Sequence, residues 1–185
     1  MEAAPLATEN AAIAERSVLS AMEAAVRVAD ILSREGLLLD RKDWPSWLAM
    51  YRSDAVFWVP AWKDEDTPTS DPDREISLIY HDNRYGLEER VARIQSRKSV
   101  TAMPLPRTSH MSGNVLVTSA GPDRIEADAS FSVHIFDPRT SRSRTHHGRY
   151  EIAITRAEDG QFLIARKKVV LINDRVAATL DFYEI

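Results

Sequence analysis

Residues 79–91 read IYHDNRYGLEERV, so His81 is followed at once by Asp82. A histidine oriented by a carboxylate is a common proton-transfer unit, because the carboxylate fixes the imidazole tautomer and leaves the second nitrogen to act. With His110 and Tyr51, these residues would supply a base, an orienting carboxylate and hydroxyl donors for enolising a small carbonyl compound. Their adjacency argues against the pair itself. At a strand end, neighbouring side chains point to opposite faces, which leaves a solvated or interface histidine as the commoner outcome. The other histidines, His134, His146 and His147, fall into no metal-ligand spacing, with no H-x-x-x-H on a helix and no H-E-x-x-H. His146 and His147 are neighbours on a predicted strand and should face opposite sides, so they cannot chelate one ion together. No metal is expected in this chain.

The residue inventory removes further chemistry. There is no cysteine, which excludes disulfides, thiolate nucleophiles and cysteine-bound zinc or iron–sulfur centres. Only 6 glycines occur, and neither a nucleophile elbow nor a phosphate-cradling glycine loop is present. Trp44, Trp47, Trp58 and Trp62 can line an aromatic binding pocket, but tryptophans at helix and strand positions more often pack a core or an interface.

These residues must be positioned by a short list of elements. Val18, Met22, Ala25, Ala29 and Leu32 recur at spacings of four and three and predict the inner face of a first helix, which Gly36 would end. A second helix is expected from Trp44 to Arg52, capped by Asp43 with Pro45 in its first turn and with Trp47, Leu48 and Tyr51 inward. AVFWVPAW and ISLIYHD read as strands around a polar loop. In GLEERVARIQSR, Leu87, Val91, Ile94 and Gln95 form one helical face, opposite a solvated face of Glu88, Glu89, Arg90, Arg93 and Arg97 with Glu-to-Arg pairs. TAMPLPR is a crossing loop, because its two prolines prevent a regular element. From Thr108 onward four strands follow, separated by AGPD, DPRTSRSR and RAEDG, and the alternation of Ile125, Ala127, Ala129, Phe131, Val133 and Ile135 is strict. Helices followed by long antiparallel strands imply an α+β fold, with N-terminal helices packed on a strongly curved, mainly antiparallel sheet.

With 185 residues the chain suits one domain, placed at 16–185 behind a loose tail at 1–15. A net charge of -4 gives no general attraction to nucleic acid or to an anionic membrane. The N-terminal stretch does not resemble a signal peptide and no run approaches a spanning helix, so the expectation is a cytoplasmic chain.

Four ordered stretches go further: LLLDRKDWPSWLAMYRSDAVFWVPAW, EISLIYHDNRYGLEERVARIQS, PRTSHMSGNV and RKKVVLINDRVAATLDFYEI. Together they resemble the small (beta) subunit of aromatic-ring-hydroxylating dioxygenases, the Rieske non-haem iron oxygenases, in the benzoate, anthranilate and toluate branch. The resemblance spans residues 20–185 and departs at Pro106 and Gly113, where the family often has serine. It implies the cone-shaped fold of the nuclear transport factor 2 and scytalone dehydratase group. It also implies assembly with a large subunit, commonly three of each with the small subunits as a trimer, served indirectly by a reductase. The Rieske [2Fe-2S] cluster and the mononuclear iron would then sit in the large subunit, with no cofactor and no catalytic residue in this chain. His81, Asp82, Arg84, Tyr85, Arg107 and His110 are the expected subunit-interface residues. A stand-alone dehydratase or isomerase using His81, His110 and Tyr51, and a small-molecule binding module, are the alternatives.

Overall fold

The computed structural model describes residues 20–96, 103–175 and 180–185. The expected tail, Val18 and Arg97 lie outside them. The first helix, α1 (Ala21–Arg41), starts at a capping box in which Ser20 Oγ accepts from the Glu23 amide at 3.2 Å and Glu23 Oε2 accepts from the Ser20 amide at 2.9 Å. It does not end at Gly36. The helix runs on to Lys42, whose φ of 58° forms the left-handed cap. Glycine is needed at 36 for proximity, since a Cβ there would lie 2.8 Å from Cβ of His110.

The inner face of α1 is also turned by about one residue from the predicted one. Ala24, Val28, Ile31, Leu32 and Leu39 are buried, whereas Met22 is 78% exposed. The polar members of this face, Glu35 and Gly36, masked its register in the sequence. A short α2 (Trp44–Ala49) follows, capped by Asp43 Oδ1 on the Ser46 amide at 3.3 Å. It is shorter than expected, because Tyr51 already begins β1 (Tyr51–Pro60). Trp47 and Tyr51 are fully buried as predicted, and Leu48 is partly buried. Next come β2 (Ser77–His81) and α3 (Tyr85–Gln95), which buries Leu87 and Val91 while Gln95 stays exposed.

Four long strands complete the sheet: β3 (Arg107–Ala120), β4 (Arg124–Asp137), β5 (Arg142–Arg156) and β6 (Phe162–Leu171). The order is β2-β1-β6-β5-β4-β3, antiparallel throughout except where β1 runs parallel to β6. The alternation predicted for β4 holds from Ile125 to Ile135, and each of those larger apolar side chains contributes about 1.5–3 kcal/mol on burial. Helix α1 packs across β3 and β4, so the sheet curls around it. A 3-10 turn at Phe182–Glu184 closes the core, with Phe182 stacked on Trp47 at 4.5 Å and edge-on to Trp44 at 5.5 Å. This is the α+β architecture expected from the sequence.

Candidate functional site

The structure does not make a dyad of His81 and Asp82. His81 Nε2 accepts from Nε of Arg90 at 2.9 Å, while the exposed Asp82 accepts from its neighbour Asn83 at 2.8 Å. Gly86 makes room for the imidazole, because a Cβ there would come within 2.1 Å of Nδ1. Burial, then the adjacent Arg90 charge, lowers the His81 pKa, so the ring is neutral at pH 7. Arg90 also reaches Asp181 at 3.2 Å, and Arg93 reaches the same carboxylate at 3.6 Å. These two arginines therefore bind helix α3 to the segment after β6 and do not serve as the solvated intrahelical pairs expected from the sequence. Among the described residues of this segment Arg84 makes such a pair, with Glu88 at 2.8 Å, and its guanidinium also donates to the Tyr51 carbonyl at 2.9 Å.

Nor are the three residues of the acid–base alternative brought together. His81 is on β2 and His110 on β3, the two opposite edges of the sheet. Tyr51 is buried and donates its hydroxyl to Glu35, and burial, reinforced by that carboxylate, raises its pKa well above the normal phenol range. The tryptophans do not line a shared pocket. Trp44 and Trp47 pack in the core, Trp58 donates to Ser77 at 2.8 Å and Trp62 to the Leu171 carbonyl at 2.7 Å. The opposite orientation of His146 and His147 holds: the first is buried, with Nδ1 at 3.0 Å from the Glu184 carbonyl, and the second is exposed. Among the described residues no three metal-ligating side chains converge.

Two polar constellations emerge that sequence reasoning missed. The first is the ion pair of Glu35 and Lys167, 2% and 1% exposed, with Nζ at 2.9 and 2.8 Å from the two carboxylate oxygens. Trp47 Nε1 and the Tyr51 hydroxyl also donate to Glu35, and Lys167 sits 4.1 Å from the centre of the Tyr150 ring. Burial lowers the Lys167 pKa, with Glu35 pulling against it. A signal was available: Lys167 shares the strand parity of the buried Val169 and Leu171, and Glu35 falls between Leu32 and Leu39 on the inner face of α1.

The second is a true histidine–aspartate pair. His110 Nδ1 lies 2.6 Å from Oδ1 of Asp40, which also takes the Thr108 hydroxyl at 2.8 Å, while Oδ2 takes the His110 amide at 3.0 Å. Burial alone would raise the Asp40 carboxyl, but the bonds from the His110 ring and backbone and from Thr108 outweigh it and hold its pKa below the ordinary value. The other ring nitrogen of His110, Nε2, is buried without a partner among the described residues, an arrangement that costs about 1–3 kcal/mol. His110 is also among the residues lining a cleft of about 270 Å³ between α1 and β3, with Leu32, Glu35, Leu37, Met111 and Tyr150.

Of the remaining residues expected at an interface, Tyr85 is 64% exposed, and Arg107 is exposed with its guanidinium 5.9 Å from the centre of the Phe136 ring.

Comparison with known proteins accounts for the fold. Residues 34–178 match the family model described as ring hydroxylating beta subunit. The chain is 39% identical over 160 residues to the toluate 1,2-dioxygenase subunit beta of Pseudomonas putida, covering 85% of this chain and 96% of that one. It is 37% identical over 158 residues to the 2-halobenzoate 1,2-dioxygenase small subunit of Burkholderia cepacia, covering 85% and 94%. The crystal structure of the beta subunit of the benzoate 1,2-dioxygenase from Burkholderia mallei superposes with a TM-score of 0.71 at 37% identity, over 85% of this chain and 95% of that one. The family model, which covers most of the chain, and relatives at 37–39% identity agree, and the chain belongs to the family of ring-hydroxylating dioxygenase beta subunits.

Proposed function

We propose that this chain is the non-catalytic small subunit of a cytoplasmic oxygenase that dihydroxylates an aromatic acid of the benzoate or toluate type. The observation that carries the reading is the commitment of its acid–base groups: His81 is held by Arg90 and Tyr51 by Glu35, while His81 and His110 stand on the two opposite edge strands of the sheet. The names of its relatives, which act on toluate, 2-halobenzoate and benzoate, support the substrate class. The Rieske [2Fe-2S] cluster and the mononuclear iron belong to a large subunit, since a chain without cysteine cannot ligate that cluster. Three large and three small subunits form the particle, and a reductase supplies its electrons.

A subunit placed in such a ring needs two contact surfaces, one for the large subunit and one for its own copies. Two exposed, partly apolar surfaces lie at the opposite edges of the sheet. One carries Asp82 and Tyr85 beside β2, with Ile76 (76% exposed) ahead of that strand. The other carries Arg107 and Leu116 (65% exposed) on β3. Tyrosine and arginine flanked by aliphatic side chains are typical anchors of interfaces burying about 2,000 Å² or more. His81, Arg84 and His110 support these surfaces from behind through their bonds to Arg90, Tyr51 and Asp40.

Co-expression with a large oxygenase subunit followed by native mass measurement tests the proposal. One stable heteromeric particle is expected, with turnover of an aromatic acid by the particle and none by the isolated chain. Turnover by this chain alone, or failure to associate with any large subunit, would overturn it.

A further inference from the structure

Helix α1 carries a second uncharged stripe that the core does not use. Met22, Val26, Ala29, Ser33 and Leu37 follow one another at spacings of four, three, four and four, so at about 3.6 residues per turn they share one side of the helix. Met22 and Ala29, placed by the sequence pattern on the inner face, belong to this outer side. Met22, Val26 and Leu37 are 78%, 65% and 51% exposed, a row of large aliphatic side chains along about 22 Å of helix. At its far end the stripe meets β3, because Leu37 and the exposed Met111 line one cleft.

The flank beside this stripe identifies what covers it. Glu23, Arg27, Asp30 and Arg34 alternate in sign along it, with Asp30 and Arg34 paired at 2.9 Å and Arg27 standing 4.8 Å from the centre of the Phe162 ring. In the reverse direction the same four charges alternate with opposite sign. An identical helix lying antiparallel therefore sets Glu23 level with Arg34 of its copy and Arg27 level with Asp30. In that register Met22 falls between Ser33 and Leu37 of the copy, and Val26 between Ala29 and Ser33, so each large side chain meets a gap. Charge and shape select the same register independently. A parallel pair would put the charged flank against the uncharged one and align the two helix dipoles. We infer that α1 is an association surface for a second copy of this chain, the two helices pairing antiparallel across a two-fold axis beside Ala29. One helix face is small for an interface, so the association is reversible. The pairing does not rest on the assembly proposal: it makes a dimer of the chain alone, and in a threefold ring it joins two rings.

The chain has no cysteine, so introduced thiols report the register directly. Ala29→Cys places a thiol beside the two-fold axis, and mild oxidation of the full-length chain at high concentration should give a disulfide-linked dimer. Leu37→Cys should not, since the register sets this position about 25 Å from its own copy, whereas a mixture of Leu37→Cys and Met22→Cys chains should cross-link with each other. Adding Val26→Glu to Ala29→Cys, at an exposed position that leaves the fold and its circular dichroism unchanged, should cut cross-linking by about tenfold or more. Arg34→Glu should weaken it about fivefold, and Glu23→Arg in the same chain should restore it. Cross-linking as frequent in Leu37→Cys as in Ala29→Cys, cross-linking unaffected by Val26→Glu, or none from a folded Ala29→Cys chain would each overturn the inference. Failure to bind a large subunit, with the cross-links as expected, would count against the assembly proposal alone.

Discussion

Two carboxylate-centred constellations hang from the same helix, little more than a turn apart, and they are built on opposite principles. Glu35 meets Lys167 in the dry core, and both carboxylate oxygens and the ammonium are satisfied by lysine, tyrosine, tryptophan and an aromatic face. Asp40 meets His110 at the edge of the sheet, and there the carboxylate is satisfied while the imidazole is not. A closed network of the first kind holds α1 to β6 in one register, because any other register strands a charge in the core. An open one of the second kind ties α1 to β3 while leaving one buried ring nitrogen without a partner among the described residues. The difference shows that a buried histidine–carboxylate pair and a buried ion pair answer different questions.

The largest effect should come from breaking the closed network on one side. Lys167→Met leaves the Glu35 carboxylate buried without its cation, and urea unfolding should show a loss of about 3–5 kcal/mol. Adding Glu35→Gln, which removes the charge and keeps an acceptor for Tyr51, should restore most of that loss. A double variant less stable than the single one would contradict the view that the pair serves register more than stability.

Opening the second network further should cost less. Asp40→Asn removes a charged acceptor from three hydrogen bonds, and a loss of about 1.5–3 kcal/mol is expected in the same assay, together with a changed tautomer balance in the His110 ring nitrogen spectrum.

The pH dependence sharpens the contrast. Asp40 titrates below its unfolded value, so its contribution is complete above about pH 4 and is lost as pH falls through the folded pKa. His81 also titrates below its unfolded value, but as a base it is stabilising when neutral. Its contribution is complete above about pH 6.5 and declines as pH drops below that, because the unfolded chain then binds the proton first. Unfolding of wild type and of His81→Gln from pH 8 to 5 should diverge only at the acid end, and parallel curves would remove His81 from the account.

The smallest effect on the chain itself should come from Tyr85→Ala at the exposed start of α3. Its stability should change by no more than about 0.5 kcal/mol. Native mass of the complex should show weakened assembly, and an unaffected complex would exclude that surface from the contacts.

Much of the fold was legible in the sequence because its signals are local. The strict alternation from Ile125 to Ile135, the Asp43–Pro45 helix start and the turns between the last four strands each lie within a short window. Gly36 misled because its reason, the close approach of His110, lies on another element. The site was harder to read for the same cause. Asp40 and His110 are 70 positions apart, and Glu35 and Lys167 are 132 apart, so no spacing rule joins them. The adjacent His81 and Asp82 drew attention although backbone geometry separates them.

The parallel pairing of β1 with β6 has a consequence in time. The β3–β6 meander is made of neighbours in the chain, and its hairpins close short loops at little entropic cost. Seating Phe57 opposite Lys167 instead requires a loop that spans most of the domain, and the same lysine must then find Glu35 on α1. Folding should therefore run from the late part of the chain toward the early part. Pulsed hydrogen exchange is expected to protect the amides of β4 and β5 before those of β1, with the formation of the Glu35–Lys167 pair marking the moment at which the two halves of the chain commit to each other.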